Sequence, residues 1–132
     1  MKKKIIIGVL CLAVTFGLYI GGTLFIETTR YRRIISEVEI RTPNLTQIED
    51  GTYNGFFDAI LVSADVDVTV ENHVITDVTI NNHHNGRGLD AEVIVFDVVE
   101  NQSLEVDTVS GATNSSLVIL NAIQIALESG IN

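Results

Sequence analysis

The residues with the most chemical potential stand near the C-terminus, in Asp107-Thr-Val-Ser110-Gly111-Ala112-Thr113, followed by Asn114-Ser115-Ser116 and an apolar run to Leu127. The order reads as the end of a strand, a tight turn and the start of the last helix. Ser, Thr and Asn gather where a helix N-cap belongs, and Gly111 allows a turn with close backbone approach. The first N–H groups of a helix have no internal partner and carry the positive end of the helix dipole, so a phosphate is welcome there. Thr113 offers a hydroxyl to which such a phosphate could be attached. On the bare spacing, an ordinary capped helix is the simpler reading.

The usual side-chain devices for catalysis are missing. The single cysteine, Cys11, lies in an apolar N-terminal run, so the rest of the chain has no disulfide, no thiolate metal site and no cysteine nucleophile. There is no serine elbow, Walker-type loop, or iron–sulfur or haem attachment spacing. His83 and His84 are adjacent and have acids nearby, but no third ligand is spaced to complete a metal site. No catalytic residue and no metal site is therefore expected; a cofactor would have to supply the chemistry.

Taken together, Asp107-x-x-Ser110-Gly111-Ala112-Thr113, Asp50-Gly-Thr-Tyr-Asn-Gly55, His83-His84-Asn-Gly-Arg87-Gly88 and Gln102-Ser-Leu-Glu-Val106 resemble the FMN-binding-domain family of covalent flavinyl-threonine proteins. That family includes the FMN-carrying C subunit of the sodium-translocating NADH:quinone oxidoreductase and the G subunit of the related Rnf complex. The resemblance covers about residues 48 to 129. It implies FMN joined by a phosphoester to Thr113 through a dedicated flavin transferase. Asp107, Ser110, Gly111 and Ala112 would then be the flanking residues that the transferase reads and that shape the turn. His83 and His84 would form a polar wall for the flavin ring or a transferase contact, and Arg87 would sit near the phosphate or the reduced ring; ordinary loop roles are open for all three. The chain is much shorter than the respiratory-complex subunits, which favours a standalone tethered electron carrier. Its redox partners would be membrane or extracellular, such as a quinone-linked dehydrogenase or another flavoprotein. Two other classes remain: a cofactor-free binding or assembly module of the same fold, and a small flavin-dependent reductase.

These residues need a scaffold. Lys2-Lys-Lys4 precedes Ile5 to Ile26, 22 residues without charge. At about 1.5 Å per residue, a helix of that length crosses a bilayer core of about 30 Å. A cleaved signal peptide usually has a shorter apolar region and a small-x-small cleavage site, so residues 1–26 read as an uncleaved anchor. The lysines on one side and Arg30, Arg32 and Arg33 on the other leave only a slight bias toward an inside N-terminus. The family resemblance places the domain outside the cytoplasm of a bacterial cell. Residues 27–47 read as a juxtamembrane connector, with Tyr31 and the arginines at headgroup level and Pro43 stopping any helix.

All 17 acidic residues lie at or after Glu27. From Asn44 onward fourteen acids face one cation, Arg87, a formal balance of −13. Such a domain repels nucleic acid and would steer toward a cationic partner. Residues 48–132, roughly 85 in all, suffice for one small core. Val66, Val68 and Val70, then Val74, Thr76, Val78 and Ile80 across Glu71-Asn-His73, predict a hairpin with one buried face. Tyr53 to Phe57 adds a strand, with Gly51 and Gly55 at a turn or bulge and Tyr53 a core or edge aromatic. Leu89, Val93, Phe96 and Val98 or Val99 predict the buried face of a first helix. Leu104 and Val106 read as a short strand, and the last helix buries Leu117, Leu120, Ile123 and Leu127 and ends near Gly130. The expectation is α+β: a small antiparallel sheet with helices packed on it, behind one transmembrane helix.

Overall fold

The alternating β-branched residues form a three-stranded antiparallel sheet in the order β1-β2-β3, built from β1 (Gly51–Asp58), β2 (Ser63–Glu71) and β3 (Val74–His84). The computed structural model describes residues 1–84, 86 and 88–131. β2 is central and obeys strict alternation: Ala64, Val66, Val68 and Val70 are buried beneath the helices, while Asp65, Asp67 and Thr69 face the other way. Burying a valine side chain is worth about 1.5–3 kcal/mol, which fixes the register of this strand.

The hairpin between β2 and β3 turns on Asn72 and His73, with φ of 53° and 64°. Two positive φ values in a two-residue loop match the twist of the flanking strands. Asp50 Oδ1 accepts the Asn72 N–H at 2.7 Å, so the Asp50-Gly51 opening clamps this turn. β3 departs from the predicted alternation. Val74 is exposed and Ile75 is fully buried, followed on the inner face by Val78, Ile80 and His83. Two register shifts explain the change, because Thr76 and Asn81 are each an extra residue on β3 without a β2 partner. Each bulge flips the strand's inner face by one residue.

α1 (Lys2–Glu37) is followed by a 3₁₀ turn (Leu45–Gln47); after the sheet come a second 3₁₀ turn (Leu89–Val93), α2 (Ile94–Asn101) and α3 (Thr113–Ser129). α3 lies across β1 and β2, and α2 against β3. In α3, Leu120, Ile123 and Leu127 are fully buried, with Leu117 half-buried. Gly55 is neither a turn nor a bulge. It sits mid-strand opposite Val66, where a Cβ would run into Ala122 O and lie 2.7 Å from Ala126 N. Its missing side chain is what lets α3 seat on the sheet. Tyr53, half-buried on edge strand β1, donates its hydroxyl to Glu49 O at 2.8 Å.

The first helical segment buries Val98 as expected but otherwise a different face from the one predicted. Ala91, Ile94, Val95 and Val98 point inward, while Leu89, Val93 and Phe96 are exposed. The 3₁₀ turn advances about 120° per residue rather than 100°, so it shifts the phase of the stripe entering α2. Leu104 and Val106 form no strand; their segment is irregular, with Leu104 buried. Gln102 replaces that strand at the edge of β3. From a left-handed backbone (φ 51°), its amide accepts Ile75 N–H at 2.7 Å and donates to Ile75 O at 2.8 Å and Val99 O at 2.6 Å.

α1 spans 36 residues, roughly 54 Å at helical rise, and its apolar side chains from Ile5 to Ile26 are exposed. It is long and apolar enough to cross a membrane. The helix continues without a break through residues 27–37. Tyr31, Ile34 and Ile35 pack against the core. Arg41 N–H donates to Gln124 Oε1 at 3.0 Å, and Thr42 Oγ1 accepts Leu104 N–H at 2.9 Å.

Candidate functional site

Thr113 is the first residue of α3, and the turn ahead of it fixes its position. Ala112 N–H donates to Val109 O at 3.0 Å, closing a four-residue turn in which Gly111 has φ +79° and Ser110 does not have a positive φ. This is the pattern of a turn that requires glycine at its third residue. Ser116 pins the turn from inside the helix. Its buried hydroxyl accepts Val109 N–H at 3.0 Å and donates to Ala112 O at 2.9 Å. The N-cap is Ala112, and among the described residues no side chain caps the helix. Within the helix the first N–H bonded back along the chain is Ser116 to Ala112 O at 2.9 Å, which leaves those of Thr113, Asn114 and Ser115 ahead of it. The Ser/Thr/Asn cluster thus does not cap the helix end as its composition predicts, and the helix end stays available to an anion.

Beside it opens a cavity of about 360 Å³ lined by Tyr31, Val62, Gly88, Gly111, Ala112, Thr113, Asn114 and Ser115. The structure brings together three of the residues singled out in sequence: Gly111, Ala112 and Thr113. Thr113 is exposed, Ala112 is buried, and the space around Gly111 is open. Ser110 is exposed on the turn but does not line the cavity. Asp107 is exposed in a different depression, with Asp97, Asn101, Ser103, Glu105 and Val106.

His83 and His84 end β3 rather than standing in the following loop. The His83 side chain is only 1% exposed, and its Nδ1–H donates to Glu92 Oε1 at 3.0 Å, tying β3 to the second 3₁₀ turn. His84 is exposed and registers with Ser63, next to Val62 of the cavity wall. Arg87 lies outside the described residues.

Two contributors escaped the sequence. Ser116 was visible only as part of a polar cluster, and its role depends on a turn that folds back over the helix. Tyr31 lies 82 residues before Thr113 and carried no signal beyond its place after the apolar run.

The arrangement fits a phosphate-bearing ligand. An open helix end, a hydroxyl on its first residue and a neighbouring cavity with no carboxylate in its wall among the described residues are together compatible with a phosphate and an attached ring system. The model of the FMN-binding domain matches residues 63–128, half of the chain. The chain therefore belongs to the FMN-binding domain family and is a flavin-binding protein. Comparison with curated proteins and with solved structures gave no match.

Proposed function

We propose that this protein is a membrane-anchored, extracytoplasmic electron carrier that holds FMN by a phosphoester to Thr113. One observation carries the reading: inside the matched domain, Thr113 opens an uncapped helix at the mouth of the 360 Å³ cavity. The N–H groups of Thr113, Asn114 and Ser115 would receive phosphate oxygens, and the absence of a side-chain cap at Ala112 leaves them free of competition. Gly111 keeps the approach clear. Thr113 Oγ1 would be the atom esterified: it would give up its proton and bond to the flavin phosphorus while a flavin transferase breaks a P–O bond of its flavin nucleotide donor and releases the leaving group, so that the chain gains FMN less one water. When bound, FMN would supply one- and two-electron chemistry that joins a two-electron donor to a one-electron chain. The chain's own tasks are to hold the ring, to exclude water from one side of it and to leave an edge for exchange.

α1 serves as the anchor, with the N-terminus inside and the acidic domain outside. A covalent tether suits that location, where a lost cofactor is not readily replaced. The electron donor and acceptor are membrane or extracellular redox partners, and the acid-rich surface favours cationic ones. The Thr113→Val variant is expected to keep its circular dichroism spectrum and to lose covalent flavin entirely. A fluorescent flavin band surviving denaturing electrophoresis in that variant would overturn the assignment.

A further inference from the structure

We propose that α1 closes the flavin pocket: Tyr31 is a cofactor-contacting residue, and through it the flavin is held at the bilayer surface. The inference rests on the flavin reading of Thr113 and on α1 as a membrane span. Tyr31 lines the same cavity as Thr113, although it belongs to the helix that carries the apolar run. It is half-buried, with Ile34 and Ile35 packed on the core one turn further along. The helix is unbroken from Lys2 to Glu37, so no hinge separates the apolar run from Tyr31. The chain beyond the helix is fastened as well, by Arg41 N–H to Gln124 Oε1 at 3.0 Å and by Thr42 to Ser103 and Leu104 at 3.1 and 2.9 Å.

The distances along the helix give the second half of the proposal. Tyr31 follows Ile26, the last residue of the uncharged run, by five residues, about 8 Å of helical rise. Arg30, Arg32 and Arg33 surround it in sequence and are exposed, which suits the headgroup level. A ring anchored on Thr113 and resting on Tyr31 therefore lies just above the hydrocarbon boundary, within reach of a redox carrier dissolved in the bilayer. The phenol offers a flat face for stacking, and its hydroxyl makes no hydrogen bond among the described residues, unlike that of Tyr53.

The test uses the full chain made with a flavin transferase and reconstituted in phosphatidylcholine–phosphatidylglycerol vesicles. Intact mass first establishes that wild type, Tyr31→Phe and Tyr31→Ser carry flavin. Removing one wall of the pocket should raise the quenching of flavin fluorescence by aqueous iodide roughly twofold in Tyr31→Ser, with Tyr31→Phe close to wild type because the ring face is retained. In the wild type, lipids carrying a headgroup nitroxide should quench the flavin strongly, a measurement independent of either variant's folding. With flavin in place, an unchanged iodide response in Tyr31→Ser, or no quenching by the labelled lipid, overturns this inference alone. An unmodified mass overturns the flavin reading and this inference with it.

Discussion

Ser116 sits one turn into α3 with its hydroxyl engaged at both ends, accepting Val109 N–H at 3.0 Å and donating to Ala112 O at 2.9 Å. Ser116→Ala leaves the half-buried Val109 N–H without its acceptor, at a cost of roughly 1–2 kcal/mol. A fall in melting temperature on the order of 4–16 °C should follow, together with slower flavin attachment because the turn before Thr113 loosens. An unaltered melting curve would remove Ser116 from the account of the site. On the opposite face of the sheet, Asn54 Nδ2 bridges Asp65 Oδ1 at 2.7 Å and Asp67 Oδ1 at 2.9 Å. The hydrogen bond from Asn54, and next that from Asn81, hold the Asp67 carboxyl below the ordinary carboxylate range. A carboxyl whose pKa is lower in the folded chain stabilises the fold above its unfolded pKa. That contribution is lost as pH falls through the lowered folded value. Carboxyl-carbon NMR should show Asp67 titrating at a higher pH in Asn54→Ala; identical midpoints would contradict the assigned cause.

At the level of elements, Gly55 sets how closely α3 approaches the sheet. A Cβ there meets Ala122 O and Ala126 N, both backbone atoms of the helix, and neither can turn aside as a flexible side chain would. Gly55→Ala is expected to cost about 1–3 kcal/mol, the usual range for overpacking, read as a shift of the urea midpoint. A wild-type midpoint would mean that the helix stands further off. Most elements were legible in the sequence: the β2–β3 hairpin from its valines, α3 from its apolar run, α1 from its length. What was not legible has a shared physical reason. The bulge at Thr76 and the 3₁₀ turn before α2 each alter a local repeat, so a fixed period that places Val78 and Ile80 correctly misplaces the residues on the other side of the bulge. A fixed period thus places Val74 on the inner face that Ile75 occupies, and Leu89, Val93 and Phe96 on the one held by Ala91, Ile94 and Val95. Leu104 and Val106 have a strand-like spacing but form no strand, because the side chain of Gln102, rather than a backbone ladder, satisfies Ile75 at the edge of β3.

Across the whole molecule, charge and hydropathy divide the chain cleanly: an exposed apolar helix at one end and an acid-rich α+β domain at the other. The junction between them is docked, because Tyr31, Ile34, Ile35 and Arg41 all engage the domain. The site was legible in its local part alone. Gly111, Ala112 and Thr113 are adjacent in sequence and the turn keeps them together, whereas Asp107 diverges into another depression and Tyr31 arrives from the far end of the chain. No spacing rule connects residues 31 and 113; the packing of α1 on the domain does. Whether Thr113 carries the cofactor is decided by the intact mass of the full chain produced with a flavin transferase, followed by peptide mapping. The expected result is an increase equal to FMN less one water, located on Thr113 and absent from Thr113→Val. An unmodified mass, or the same increase in Thr113→Val, would contradict it.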